Sequence, residues 1–267
     1  MAGNYKAHSP RRKALLIGNS DGIGLAATRR LLAAGWDVAG ISRSESPITA
    51  GGYQHYVANV SDREYSRFLD DLISGSPPDL CIYFVGIGVW LNLADMKDEP
   101  RVIDVNLTGM VKTASAIIPG MVGRGHGHFI GISSLADSLP SAEAPSYAAS
   151  KAGFTIYIRG LAQALTSHGV HVTNIRFGFV DTKMAKGNFR PFMMSVERAV
   201  DHLERCIIRK PGSYTAPRIA IPLIALTKAL MLVKNTVGKN RKRRFDEEPP
   251  EQDGNEPRGG GMSGEGQ

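Results

Sequence analysis

Cysteine is nearly absent: Cys81 and Cys206 are the only two in 267 residues. One lies in an apolar strand-like run and the other in a helical pattern, so neither number nor spacing supports a disulfide framework or a metal site. The N-terminal stretch MAGNYKAHSPRRKALLIG has charge but no apolar core of signal-peptide length, and its ALLIG end reads as a first strand, so secretion is not expected. The most apolar stretch, IPLIALTKALMLV at 221–233, falls short of the roughly 20 helical residues a bilayer requires. No internal repeat is visible. These absences leave a cytoplasmic globular protein, and a hydrophobic fraction of 42% is enough for one full core.

The net charge of +7 resides in the body of the chain. From residue 234 onward, Lys234, Lys239, Arg241, Lys242, Arg243, Arg244 and Arg258 are matched by Asp246, Glu247, Glu248, Glu251, Asp253, Glu256 and Glu265. The tail is neutral but polarised, with KNRKRR followed by a Gly-, Pro- and acid-rich end that cannot bury enough surface to offset ordering. The expected organisation is an N-terminal arm (1–11), one main domain (12–218), an apolar helix with its basic segment (219–245) and a disordered tail (246–267).

Apolar runs rich in branched residues alternate with longer helical patterns, the signature of β-α-β units around a parallel sheet. The pattern predicts strands near 13–17, 37–42, 54–57, 80–85, 128–133, 171–177 and 213–215. Helices are expected near 23–34, 100–118, 146–168, 195–210 and 222–233, with a further one opened by the capping box Ser61-Asp-Arg-Glu64. The fold class is therefore α/β: a doubly wound parallel sheet of about seven strands, of Rossmann type.

The first β-α turn, LLIGNSDGIGLAA, places Gly18, Gly22 and Gly24 between a strand and a helix. Such a turn lets backbone approach a pyrophosphate, whose charge the helix N-terminus favours; the alternative is a tight turn with a capped helix. At the end of the second strand stand Ser42 and Arg43. An acidic residue there would meet the ribose hydroxyl of NAD, whereas an arginine accommodates the extra phosphate of NADP. Further on, SYAASKAG sets Tyr147 and Lys151 one helical turn apart on one face, so an ammonium sits beside a phenol.

With Gly18-x-x-x-Gly22-Ile23-Gly24, Asn106 in DVNLTG, Ser134 in GISSLAD, Tyr147-x-x-x-Lys151, and Gly178 with Thr182 in RFGFVDT, the chain resembles the short-chain dehydrogenase/reductases from about residue 12 to 233. Ser134 precedes Tyr147 by the separation usual in that family, which favours it over Ser133. The resemblance implies catalysis by Asn106, Ser134, Tyr147 and Lys151. It implies a cofactor site made by Gly18, Asn19, Ser20, Gly22, Ile23, Gly24, Ser42, Arg43, Asn59, Val60, Gly86, Tyr147, Lys151, Gly178, Val180 and Thr182. NADP(H) is the expected cofactor, with NAD(H) also admitted. A free phenol has a pKa of about 10; lowering it by about three units takes roughly 4 kcal/mol, which Lys151 and a cationic nicotinamide can supply. By resemblance Tyr147 exchanges the proton, Ser134 holds the substrate oxygen, Lys151 holds the nicotinamide ribose and Asn106 positions a water. The chain is expected to be a homodimer or homotetramer.

Departures from the family pattern are Ile17 before the first glycine, Asn59-Val60 at the adenine position, Phe177 before Gly178, and Tyr83-Phe84-Val85-Gly86 after the fourth strand. They touch adenine contacts and loop bracing and leave the proton relay intact. TKMAKG and SYTAP, with the apolar terminal helix, are somewhat similar to keto-sugar reductases acting on polyprenyl-phosphate sugars. Substrate contacts are expected from Ser134, Leu135, Tyr147, Trp90 and Phe179, with Ile87, Val89 and Leu139 beside them. Residues 183–194 read as a mobile lid whose Met184, Phe189, Phe192, Met193 and Met194 suit a bulky apolar substrate. The 221–233 helix either packs on the fold or a second subunit or, with the basic cluster behind it, docks at an anionic membrane surface; nucleic acid is not an expected partner. The leading function is an NADPH-dependent carbonyl reductase; the alternative is a non-catalytic NADP(H)-binding sensor or scaffold.

Overall fold

The structure is a computed structural model that describes residues 11–184 and 190–231. The N-terminal arm to residue 10, Phe189 of the expected lid, the basic cluster and the acidic tail lie outside the described residues. Contacts divide the chain into two units, Met1–Ile224 and Ala225–Gln267.

Among the described residues seven strands form: β1 (Lys13–Ile17), β2 (Asp37–Ser42), β3 (Tyr53–Val57), β4 (Leu80–Tyr83), β5 (Gly127–Ser134), β6 (Val170–Phe177) and β7 (Ser213–Ala216). They make one sheet of order β3-β2-β1-β4-β5-β6-β7, every pair parallel. Strand residues alternate between two cores because successive side chains leave opposite faces. Leu15, Ile17, Cys81, Tyr83 and Phe129 face one side, where α2 (Tyr65–Ile73), α4 (Gly109–Arg124) and α5 (Pro145–Ala164) pack. Ala14, Leu16, Leu80, Ile82 and Ile130 face α1 (Gly22–Ala33) and α6 (Val196–Arg209). Each fully buried Leu or Ile contributes about 1.5–3 kcal/mol, so covering both faces accounts for most of the fold's stability.

The sheet reverses its order of growth between β1 and β4, and a crevice opens there at the carboxyl ends of the strands. Three sequence expectations change in detail. The capping box does not form: α2 begins at Tyr65 after Glu64 with no side-chain cap, and Asn59 closes the preceding turn by accepting from Ser61 N (3.2 Å) and donating to Asp62 Oδ1 (3.0 Å). The helix expected at 100–118 is α3 (Glu99–Ile103), a π-helical turn at Asp104–Thr108, and α4. The helix expected to reach 168 ends at Ala164, with extra turns before Val170. Residues 220–224 close the first unit as helix, and 225–231 are helical in the second. Among the described residues no helix is long and apolar enough to cross a membrane.

Candidate active site

A cleft of about 1120 Å³ opens at the crevice. Its floor is backbone. Gly18 has φ +90° and Gly22 φ +52°, conformations that side chains resist, and a Cβ on Gly24 would stand 2.2 Å from Gly18 O. A Cβ on Gly18 would meet Val85 Cγ2 at 2.8 Å, so the loops after β1 and β4 touch at the switch point. These glycines leave room for a ligand's phosphates to approach main chain, which fits a dinucleotide.

Of the cofactor residues expected from the sequence, all but one line the cleft; the exception is Asn19. Its side chain turns down beneath Gly40, where it donates to Tyr53 Oη (2.8 Å) and Thr28 Oγ1 (3.2 Å). Tyr53 in turn meets His55 Nδ1 at 2.9 Å, and His55 Nε2 lies 3.0 Å from Ser44 O. With Asn19 donating to Tyr53, Tyr53 gives its hydrogen to His55 and His55 Nε2–H donates to Ser44 O. This chain braces the turn that carries Arg43. The Ser42 hydroxyl is committed to the same turn, donating to Ser44 O at 2.8 Å. Arg43 is exposed at the cleft and makes no ion pair among the described residues.

Asp21, which sequence reasoning passed over, sits in the anion-binding turn. Its carboxylate accepts from Gly22 N (2.8 Å) and pairs with Lys183 Nζ (2.7 Å); Lys183 first and the Gly22 N–H second hold its carboxyl below the usual range. An acidic N-cap with its own counter-ion was detectable as the D of NSDGIG, but its lysine is 162 positions away in the chain.

The two serines at the end of β5 separate cleanly. Ser133 is buried, with its hydroxyl on Thr155 Oγ1 (2.9 Å), whereas Ser134 Oγ caps the 3₁₀ turn at Leu135–Ser138, accepting from Ala136 N (3.2 Å), and lies near enough to the Tyr147 phenol to favour its ionised form. Lys151 lies beneath, buried, its Nζ donating to Ile132 O (3.2 Å) and 5.9 Å from the Tyr147 ring centre. A Cβ on Gly86 would stand 3.3 Å from that nitrogen, so the loop after β4 runs close against the ammonium.

Burial pushes the Tyr147 phenol above its ordinary pKa, with Ser134 pulling the other way. The lowering anticipated from the sequence takes a cationic nicotinamide as well as the lysine; in the protein's own groups desolvation is the largest influence on the phenol, and burial draws Lys151 itself down to about 8, opposed by Asp137. The phenol is thus fully protonated at neutral pH and suited to donating.

Asn106 does not line the cleft. Its amide accepts from Ile87 N (2.7 Å) and donates to Ile87 O (2.9 Å) and Ser150 Oγ (2.9 Å). From the π-helical turn it pins the 84–88 loop to α5, so its side chain acts by holding other groups.

On the substrate side the cleft is apolar. Ile87, Val89, Trp90, Leu135, Leu139, Phe179, Met184 and Phe192 line it, joined by Leu223 and Ile224. Met194 does not: it is buried in the core and bridged to Val180, and Met193 is exposed elsewhere. The bridge that anchors Met194, with Met194 N on Phe179 O at 2.9 Å, is invisible in the sequence.

A glycine cradle at the switch point of a doubly wound sheet, opening on a serine, a buried lysine and a tyrosine, defines a nucleotide-binding fold with a proton-transfer site. The family model described as short chain dehydrogenase matches residues 12–191, and the chain belongs to that family. It is 36% identical over 149 residues to an uncharacterized oxidoreductase of Myxococcus xanthus, covering 54% of this chain and 59% of that protein. It is 30% identical over 178 residues to an NADP-dependent 3-hydroxy acid dehydrogenase of Escherichia coli, covering 62% and 71%. A short-chain dehydrogenase structure from Streptomyces avermitilis superposes with a TM-score of 0.72 at 18% identity, over 90% of this chain and 100% of that one.

Proposed function

We propose that the protein is an NADP(H)-linked oxidoreductase that interconverts a ketone and a secondary alcohol, and that its substrate is bulky and apolar. The observation that carries this reading is the Tyr147 phenol, held protonated in the cleft with Ser134 near it and Lys151 beneath. When bound, the nicotinamide supplies or accepts the hydride. The protein's own part is proton delivery and orientation. Ser134 and Tyr147 hold the carbonyl oxygen; as negative charge grows there, Tyr147 gives its proton and Ser134 stabilises what remains. Lys151, close beneath Gly86, keeps a positive charge beside the developing tyrosinate.

Arg43 supports NADP(H): a cation on a braced turn at the end of β2 can take a 2′-phosphate, and the Escherichia coli relative is NADP-dependent by name. The apolar wall supports the substrate class. Trp90 is 53% exposed and Phe192 56% exposed, both at the cleft, and a bulky apolar ligand would cover them. The likeness to keto-sugar reductases rests on TKMAKG and SYTAP alone, and prenyl-linked keto-sugars are one arm of the test.

That test is a turnover screen of ketones, keto-sugars and prenyl-linked keto-sugars with NADPH, run on the parent and on Tyr147→Phe. The phenylalanine keeps the ring and removes the proton donor, so turnover should vanish while NADPH binding, read by its fluorescence, stays within about twofold. A Tyr147→Phe protein reducing substrate at the parental rate would refute the assignment. NADPH binding without turnover of any carbonyl would favour the sensor instead.

A further inference from the structure

Asp137 follows Ser134 by three positions, in the 3₁₀ turn that Ser134 caps. Its side chain is only 2% exposed, and Arg176 from β6 grips it bidentately, Nε to Oδ2 at 2.6 Å and Nη2 to Oδ1 at 2.6 Å. The Thr155 hydroxyl donates to Oδ2 (2.7 Å) and the Ser138 hydroxyl to Oδ1 (2.7 Å). Arg176 also contacts Ser138 and reaches Thr215 on β7 at 3.5 Å. An ionised carboxylate only accepts, so Thr155 has its hydrogen committed and can only accept in turn, from Ser133 Oγ (2.9 Å) and Asn174 Nδ2 (3.2 Å). Thr155 lies one helical turn beyond Lys151 on α5, and Ser133 is the residue before Ser134. The network therefore grips both sides of the proton-transfer site.

A buried ion pair seldom raises stability over an apolar replacement of the same shape, because desolvating both ions offsets their attraction. Stability alone is a poor account of a pair placed three residues from Ser134. We propose that Asp137 is a positioning residue for the proton transfer: clamped by Arg176 and bonded by Thr155, its carboxylate sets the Ser134 turn against α5 and fixes a negative charge on that helix one turn beyond Lys151. This rests on the oxidoreductase reading and adds to it a residue outside the Asn-Ser-Tyr-Lys set. The titratable and charged groups around Lys151 are Tyr147 on its own helix, Asp137 on the 3₁₀ turn and Arg176 of β6 bound to Asp137; Gly86 and Asn106 nearby are uncharged. Burial pulls the lysine down and Asp137 opposes that pull.

The variant is Asp137→Asn, which keeps the shape and one acceptor oxygen and removes the charge. The first readout needs no substrate: in protein labelled with ¹³C-lysine, the Lys151 Cε signal, assigned by its loss in Lys151→Met, is titrated by NMR. Removing a nearby negative charge should lower its midpoint by about half a pH unit or more. The second is the rate of carbonyl reduction against pH, whose alkaline fall should move the same way, with kcat down about tenfold or more and KM little changed. Asp137→Glu should restore the midpoint without the full rate, since it returns the charge but not the clamp. An unchanged Lys151 midpoint in folded Asp137→Asn overturns the proposal. If that variant does not fold, Asp137→Asn with Arg176→Gln, which leaves no lone buried ion, carries the same expectation. A shifted midpoint in a protein that reduces no carbonyl would sink the oxidoreductase reading and leave the electrostatic role standing.

Discussion

Lys151 is an ammonium placed where burial disfavours its charge, with the Ile132 carbonyl accepting from it. Its pKa falls to about 8 in the fold from 10.5 in the open chain, so the unfolded state holds the proton more tightly. Below pH 8 this penalty is present in full, about 3 kcal/mol; it fades as pH rises from 8 to 10.5, where the unfolded lysine also loses its proton. Lys151→Met, which keeps the stem and drops the charge, should therefore abolish turnover and raise the melting temperature at pH 7, and this gain should shrink toward pH 10.5. Calorimetry of both proteins at pH 7 and 10 checks it; a lower melting temperature at pH 7 would contradict the sign. Arg43 is the other residue whose charge is expected to decide chemistry. Arg43→Asp puts a carboxylate where a 2′-phosphate would lie, so NADPH affinity should fall about tenfold or more while NADH affinity rises. Titration with both cofactors reads this directly, and equal affinities in the parent would remove the basis for the NADP(H) assignment.

At the scale of elements, β5 and β6 carry a buried polar pair at the end of the sheet away from the cleft. Thr173 donates to Pro211 O (2.6 Å), so it accepts from His128 Nε2 (2.8 Å), and His128 Nδ1 is left bare. Burial, with Lys210 and His171 nearby, pushes the imidazole down to about 3. The open chain takes up that proton near pH 6.5 and the folded chain only near 3. The strand pair should therefore lose stability as pH falls through this window, and not above it. His128→Gln keeps a donor toward Thr173 and cannot charge. Its melting temperature should drop less between pH 7 and pH 4 than that of the parent, and identical drops would show that other groups govern acid unfolding. The π-helical turn at Asp104–Thr108 is the second element-scale device, for it puts Asn106 where its amide can hold both polar groups of Ile87.

For the whole molecule, every described residue lining the cleft lies at or before Ile224. Removing residues 235–267 should leave kcat for a small ketone within about twofold, since no proposed catalytic or cofactor residue is among them. A truncated protein that melts like the parent but no longer turns over would show that the C-terminal segment completes the site. The doubly wound parallel sheet was anticipated from the alternation of strand and helix patterns, while the order of its strands emerges only in the fold. The seven strands fall within three residues of the boundaries expected from apolar runs. Gly18, Gly22, Gly24, Tyr147 and Lys151 were legible because each sits in a short local pattern with its own physical requirement, whereas Ser134 was singled out from Ser133 by the family's spacing alone.

What the sequence by itself determined is whatever depends on near neighbours: strand periodicity, the glycine turn, and the one-turn spacing of Tyr147 and Lys151. What only the tertiary structure decided are matters of distance across the chain and of solvent. Asn19 turns away from the cleft because Gly40 leaves a hole for it, and Asp137 meets Arg176 thirty-nine positions away. Burial raises the phenol because desolvation depends on what closes over Tyr147, and residues as remote as Gly88, whose Cβ would touch its ring, help do so. A local pattern can specify which groups meet; the dielectric around them is a property of the folded chain.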